Sequence, residues 1–387
     1  MSVEAEEELP MSSLSTIAAA AIDRDWATSQ RWLGVERQHE ADDVIRLRGS
    51  IRVEHSLARR GAERLWYLLH GEGSLSARAA ASAGQAVAAV RAGANVIYLP
   101  GAAVGQPTEA LVASVNSALR RADQIEWAAA VASGQHEVQR EWLAPVIAAA
   151  QAAFGGAAHV YELTHALIEA GAAGMLLDDR LSEARGLGHG GGGVLIPTAQ
   201  HVRMLDTARL AADVAGVPTL ICARTGALGA ELLTSDVDAR DRDFLADERS
   251  PEGYHRVCAG IEPAVARGLA YAPHADLLWF ETPLPDPETA RIFAGRIHDE
   301  YPEALLAYSC SSLSDRYGQR DSAARAVLDR ELAASGYTLC CLGVTTGLNT
   351  SAPAETDASA GRDEPELLEA YFNDVASTLP GGMVAAV

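Results

Sequence analysis

The sequence predicts a (β/α)8 barrel with an N-terminal helical extension, and three observations predict it. Short apolar runs rich in Val, Ile and Leu alternate with amphipathic stretches of helical period. That alternation is the pattern of a parallel sheet with crossover helices. Seven or eight such units within about 260 residues suit a closed barrel. Polar residues also stand at or just past the C-terminal ends of the runs: Gln151, Asp178, Asp179, Arg224, Glu281, Ser309 and Ser311. Barrels of this kind build their sites there.

Strands are expected at Asn95–Leu99, Pro145–Ala149, Gly174–Leu177, Thr219–Ala223, Asp276–Phe280, Leu305–Tyr308 and Thr338–Leu342. Each is a short apolar run bounded by turn residues or polar side chains. Helices are expected near Gln85–Arg91, Thr108–Arg121, Val160–Ala170, Ala199–Ala215, Glu262–Ala270, Pro287–Glu300 and Ser322–Ser335. The domain reading is a helical extension over 1–80, a barrel over 81–349, and a loop with a C-terminal helix over 350–387. Thr350–Asp363 is rich in Ser, Ala, Thr, Gly and acidic residues, so it reads as a loop or a disordered stretch. A final amphipathic helix is expected near Glu364–Ser377.

Composition narrows the function classes. The 387 residues are 48% hydrophobic, enough for a large buried core. No run of about 18 apolar residues is present, which argues against a membrane span. The first residues, M-S-V-E-A-E-E-E-L-P, are acidic, unlike a secretory signal, so a cytoplasmic location is expected. A formal charge of −21 argues against nucleic acid as a partner, because phosphate binding needs clustered cations. No lysine occurs, so all 31 basic residues are arginine. Schiff-base, pyridoxal-phosphate and P-loop chemistry are excluded with it. Cys222, Cys258, Cys310, Cys340 and Cys341 show no C-x-x-C or zinc-ligand spacing and are expected as buried free thiols.

Several residues carry candidate chemistry. Arg224 ends an apolar strand, where it either contacts a ligand in the barrel mouth or bridges to Glu281 or Asp178. Trp279 and Glu281 are two apart on one strand and share a face, which directs both toward the barrel interior or its mouth. Asp178 and Asp179 stand as a base, as residual metal ligands, or as a hydrogen-bonded rim pair. His189 lies in the glycine-rich run E-A-R-G-L-G-H-G-G-G-G-V-L-I-P-T (Glu183–Thr198), either as part of a closing lid or as a loop histidine without function.

That run resembles the active-site signature of the isocitrate lyase family, Lys-Lys-Cys-Gly-His-x-Gly-Gly-Lys-Val-Leu-(Ile/Val)-Pro-Thr. Gly188, His189, Gly191, Gly192, Val194, Leu195, Pro197 and Thr198 fit it in register. The resemblance extends to Val44–Trp66, Ala208–Thr225, Leu232–Arg242 and Ala270–Thr282, covering roughly residues 25–350. It implies a barrel of the isocitrate lyase and phosphoenolpyruvate mutase type. It also implies retro-aldol cleavage of isocitrate to glyoxylate and succinate, with a carboxylate-held magnesium ion stabilising oxyanion charge and a cysteine as acid. Tyr98, Gly188, His189, Arg224, Trp279, Glu281, Ser309 and Ser311 fall on substrate-binding positions of the family pattern.

The chain departs from the pattern at decisive places. The family's cysteine falls on Leu187, and the last lysine of the signature falls on Gly193. Two carboxylates of the metal site fall on Ala149 and Gln151. The family's Glu-Asp-Gln is Asp178, Asp179 and Arg180 here, and its Arg-Thr-Asp is Arg224, Thr225 and Gly226. The expectation is therefore a divergent, repurposed and metal-independent enzyme, with a small carboxylate-bearing molecule as partner. His189, Asp178 or Asp179 would move protons in it, and ordinary isocitrate cleavage is not expected. A catalytically inactive binding protein and a magnesium-dependent isocitrate or methylisocitrate lyase with displaced ligands are the alternatives. No cofactor is expected. In the family a longer helical segment after the last strands is exchanged between subunits of a tetramer. The stretch after Asn349 is short here, so the resemblance implies a tetramer that is weakened to a dimer or lost, and a homodimer or a homotetramer is the expected assembly.

Overall fold

The computed structural model describes residues 11–71, 73–100, 107–134, 140–150, 156–181, 193–310 and 322–342. Its strands are β1 (Leu75–Ala79), β2 (Val96–Leu99), β3 (Val146–Ala150), β4 (Gly174–Asp178), β5 (Val194–Leu195), β6 (Leu220–Arg224), β7 (Leu232–Leu233), β8 (Leu245–Arg249), β9 (His255–Val257), β10 (Leu277–Thr282), β11 (Leu306–Cys310) and β12 (Tyr337–Leu342). Eight of them close a barrel in the order β1-β12-β11-β10-β6-β4-β3-β2, and the neighbours pair in parallel. The expected (β/α)8 fold is present.

Seven of the eight barrel strands lie where the apolar runs place them. The eighth, β1, starts at Leu75, ahead of residue 81, where the sequence reading began the barrel. Its sequence, Leu-Ser-Ala-Arg-Ala, buries only Ala77 fully and so lacks an apolar run. The stretch between β4 and the helix Ile261–Tyr271 carries a further addition. There β5, β7, β9 and β8 form a small sheet, with β7–β9 and β8–β9 antiparallel. Three of these strands have only two or three residues, too few to show alternation, and the five-residue β8, Leu-Ala-Asp-Glu-Arg, has no apolar run. The expected helix at Thr108 runs on to Ala132. Residues 343–387, with the expected C-terminal loop and helix, lie outside the described residues.

Two apolar assemblies hold the barrel. The outer one packs the alternate strand side chains Ile97, Leu99, Val146, Met175, Leu177, Ile221, Phe280 and Tyr308 against the surrounding helices. The inner one fills the lumen with Val96, Ile147, Leu176, Leu220, Cys222, Leu277, Ala307, Leu339 and Cys341. Strand alternation sorts the two sets. The helix Ser56–Leu69 contributes Ala58, Ala62, Leu65 and Leu69 to the inner set, so the N-terminal segment plugs one end of the barrel. Gly61 permits this approach, since a Cβ there would lie 3.1 Å from Ala173 Cβ.

Arginines secure the same end. Arg31 Nη1 donates to Asp276 Oδ1 at 2.6 Å, and Arg48 Nη2 donates to the Asp213 carbonyl at 2.7 Å. Asp276 also accepts from Arg209 and from the Ile221 amide. Its carboxyl is held well below the usual range, because the two guanidiniums outweigh the opposing effect of burial. This end is therefore closed by packing and paired charge, and the C-terminal strand ends lie at the opposite one. Four cysteines are buried, as expected, and Cys258 is exposed. No helix among the described residues is long and apolar enough to cross a membrane.

Candidate active site

The C-terminal strand ends raise a ring of polar side chains above the lumen. Register pairs Asp178 of β4 with Arg224 of β6, Arg224 with Trp279 of β10, and Glu281 with Ser309 of β11. Lumen-facing residues climb each strand from apolar to polar: Leu220, Cys222, Arg224 on β6, and Leu277, Trp279, Glu281 on β10. Tyr98 closes the layer beneath, its ring 4.9 Å from that of Trp279. The Trp279 indole N–H donates to Ser309 Oγ at 2.8 Å. Burial pushes the Tyr98 phenol above its ordinary pKa, so it stays neutral.

Four charges interlock in the mouth. Arg224 Nε donates to Asp178 Oδ2 at 2.9 Å, and Arg224 Nη1 donates to Glu281 Oε2 at 2.7 Å. Arg224 Nη2 also reaches Asp178 Oδ2. Arg180 takes the same carboxylate from the other side. Its Nε lies 3.0 Å from Oδ1 and its Nη2 lies 2.7 Å from Oδ2. Its own backbone N–H donates to Oδ1 at 3.0 Å. Burial works to raise the Asp178 carboxyl, but the Arg180 and Arg224 guanidiniums overcome it and hold the group well below the usual carboxylate range. The Asp178 carboxylate in turn raises Arg180. Backbone pairing fixes Arg180 where it acts. Leu181 N–H donates to the Val194 carbonyl at 2.8 Å, and Ile196 N–H donates to the Asp179 carbonyl at 2.9 Å.

Asp179 points elsewhere. It is fully buried and accepts from Gly226 N–H at 2.7 Å, Thr225 Oγ1 at 2.8 Å, Arg267 Nη1 at 2.9 Å and Tyr271 hydroxyl at 3.0 Å. Arg267 continues to Asp241, which accepts from the hydroxyl and the amide N–H of Thr198. A carboxylate so saturated and dry has no lone pair facing the mouth. The expectation of Asp179 as a proton-transfer group is corrected: it ties the end of β4 to the helix Ile261–Tyr271. The sequence shows two adjacent aspartates. Only the strand end shows that they face opposite ways, and Arg267, Tyr271 and Asp241 are the members of this cluster that sequence reading missed.

The structure thus brings together Tyr98, Asp178, Arg224, Trp279, Glu281 and Ser309. Gly188, His189 and Ser311, and with them Leu187 and Gln151, lie outside the described residues. Of the two cysteines near the mouth, Cys341 belongs to the lumen side, in register with Ser309, while Cys310 packs into the outer shell.

The described residues do not suit a divalent metal ion. On the lumen face of β3 stands Ala149, which has no oxygen to offer. Asp178 is engaged by two guanidiniums, and a third cation against it would meet like charge. No group of three or more His, Cys, Asp or Glu side chains among the described residues could hold a metal ion.

The sequence profile of the isocitrate lyase family matches residues 119–251 and 245–377. Isocitrate lyase of Halalkalibacterium halodurans is 41% identical over 94% of this chain and 94% of its own. Isocitrate lyase of Mycobacterium tuberculosis is 47% identical over 83% of this chain and 78% of its own. The chain belongs to the isocitrate lyase family. Among solved structures, an oxaloacetate acetylhydrolase bound to its product oxalate superposes with a TM-score of 0.52 at 15% identity, covering 82% of this chain and 98% of that one. At that identity it supports the barrel fold alone.

Membership in a lyase family follows, and one expectation falls. A repurposed activity away from isocitrate cleavage is overturned by relatives at 41–47% identity that are named isocitrate lyases.

Proposed function

We propose that this chain is a carbon–carbon lyase that cleaves isocitrate to glyoxylate and succinate. The observation that carries the reading is the 41–47% identity to isocitrate lyases over most of both chains. The mouth geometry supports it. Arg224 is rigidly held and lies in a polar layer above an apolar floor, as a carboxylate-binding group should. Trp279, Tyr98 and Ser309 give that layer a fixed wall, and fixed donors stabilise oxyanion charge better than mobile ones.

The reading asks for a proton donor other than position 187, where leucine stands. Cys341 is the cysteine on the lumen side at the level of Ser309. Its conversion to alanine is expected to lower turnover, with little effect on the affinity for succinate.

The test is glyoxylate release from isocitrate, followed as a phenylhydrazone, with the protein shown folded by circular dichroism. Glyoxylate above the blank, lost when Arg224 is changed to glutamine, supports the reading. No glyoxylate from folded protein, with or without added magnesium, overturns it.

A further inference from the structure

Two glycines flank the Arg180 side chain. A Cβ on Gly226 would lie 2.6 Å from Arg180 Cγ, 2.7 Å from its Nε, and closer still to its Cδ. Gly226 has no positive φ that would itself require glycine, so the missing side chain is the requirement. On the other side is Gly193, at φ 82°, where a Cβ would lie 3.4 Å from Arg180 Cδ. The arginine fills a slot that any side chain at 226 would occupy. Its stem is held by this packing and its head by three hydrogen bonds to Asp178.

We infer that Arg180 is the resident cation of the barrel mouth, a guanidinium attached to the chain that takes the place of a divalent ion on Asp178. Three observations on different elements agree. Asp178 is saturated by Arg180 and Arg224; Gly226 leaves the volume the Arg180 stem needs; and β3 presents Ala149 where a carboxylate would be needed to share an ion. The pairing engages Nε and Nη2 of Arg180, and Nη2 also lies 3.7 Å from Glu281 Oε2, so among the described residues Nη1 is the nitrogen left to a ligand oxygen. The side chain is 26% exposed, so it is reachable from the mouth. The ligand class is a small carboxylate bound without metal. Arginine suits this role, because its charge persists at any pH the protein survives and its fork fixes direction. The inference rests on reading the mouth as the substrate site, but its test does not depend on turnover.

The experiment is a Mn2+ titration of the full chain, followed by loss of the free-ion electron paramagnetic resonance signal. The proteins are the wild type, Arg180→Gln, Arg180→Lys, and Arg180→Gln combined with Asp178→Asn. The acidic surface will bind some Mn2+ weakly, so the informative quantity is binding that depends on Asp178. The expected result is no such binding in the wild type or in Arg180→Lys, and at least a tenfold gain in affinity for one ion in Arg180→Gln. That gain should disappear when Asp178→Asn is added. Because Arg180→Lys keeps the charge, it separates exclusion of the ion from misfolding.

Thermal shifts with succinate, in EDTA and in Mn2+, complete the test. The wild type should respond equally in both, and Arg180→Gln should respond more in Mn2+. Asp178-dependent Mn2+ binding in the wild type overturns the inference. So does the absence of any gain in folded Arg180→Gln, since Arg180 would then not be what keeps the ion out. Should isocitrate cleavage fail while these results hold, the activity falls and the resident cation stands.

Discussion

Asp178 and Asp179 are neighbours in sequence, yet they belong to different parts of the molecule. Asp178 faces the mouth, where Arg180 and Arg224 clamp it and water reaches the pair. Asp179 faces inward, where Arg267, Tyr271, Thr225 and the Gly226 amide surround it with no exposure. Both are paired carboxylates and both accept several hydrogen bonds. What differs is the neighbourhood. Around Asp179 every partner is itself packed in the core, so the pair works as a fastening between β4 and the helix behind it. Around Asp178 the partners are arginines with a side open to the mouth, so the pair can exchange a contact for a ligand. The same residue type at consecutive positions thus does two jobs because a strand turns its side chains to opposite faces.

The comparison can be broken by substitution. Asp179→Ala should have the largest effect on stability. It removes one of the two carboxylates paired with the buried Arg267 and takes the acceptor from the Thr225 and Tyr271 hydroxyls and the Gly226 N–H, and removing one partner of a buried ion pair costs about 3–5 kcal/mol. Urea denaturation measures it, and a loss below about 1 kcal/mol would remove the distinction between the two aspartates.

Just behind the same cluster, His201 packs on Tyr271 at 4.6 Å, and neither ring nitrogen has a hydrogen-bond partner among the described residues. Burial pushes its imidazole from 6.5 down to about 4. The unfolded chain therefore binds a proton that the folded chain refuses. Stability is full above pH 6.5 and falls as the pH drops toward 4. Between pH 6.5 and 5 this amounts to about 2 kcal/mol, since one pKa unit corresponds to about 1.4 kcal/mol. His201→Phe should flatten that slope in denaturant titrations at the two pH values, and an unchanged slope would place the sensitivity elsewhere.

Asp178→Asn should cost least in stability, about 1–2 kcal/mol, because its partners are partly hydrated and Arg224 keeps Glu281. Its functional effect should be the greater one. A displaced Arg224 is expected to lower glyoxylate release by about a hundredfold or more, the scale of losing a fixed electrostatic group. Stability loss without a change in turnover would reverse the assignment of the two aspartates.

The sequence by itself determined the barrel. The apolar runs at 95–99, 145–149, 174–177, 219–223, 276–280, 305–308 and 338–342 coincide with observed strands, because a strand buried on both faces must be apolar along its length. It also placed Arg224, Trp279, Glu281 and Ser309 in one mouth, since strand ends and side-chain alternation are local properties. What only the tertiary structure decided was less local. β1 is recognisable only from its partners β2 and β12, as its own residues are half polar. The division of labour between Asp178 and Asp179 depends on Arg267, 88 residues away in the chain. In sequence, Arg180 and Gly226 are two unrelated departures from a family pattern; in space they are one feature, a side chain and the room made for it. Periodicity reports which face a residue takes. Which distant residue meets it there is set by closure of the barrel, and that closure decides which charges are fastenings and which remain available to a ligand.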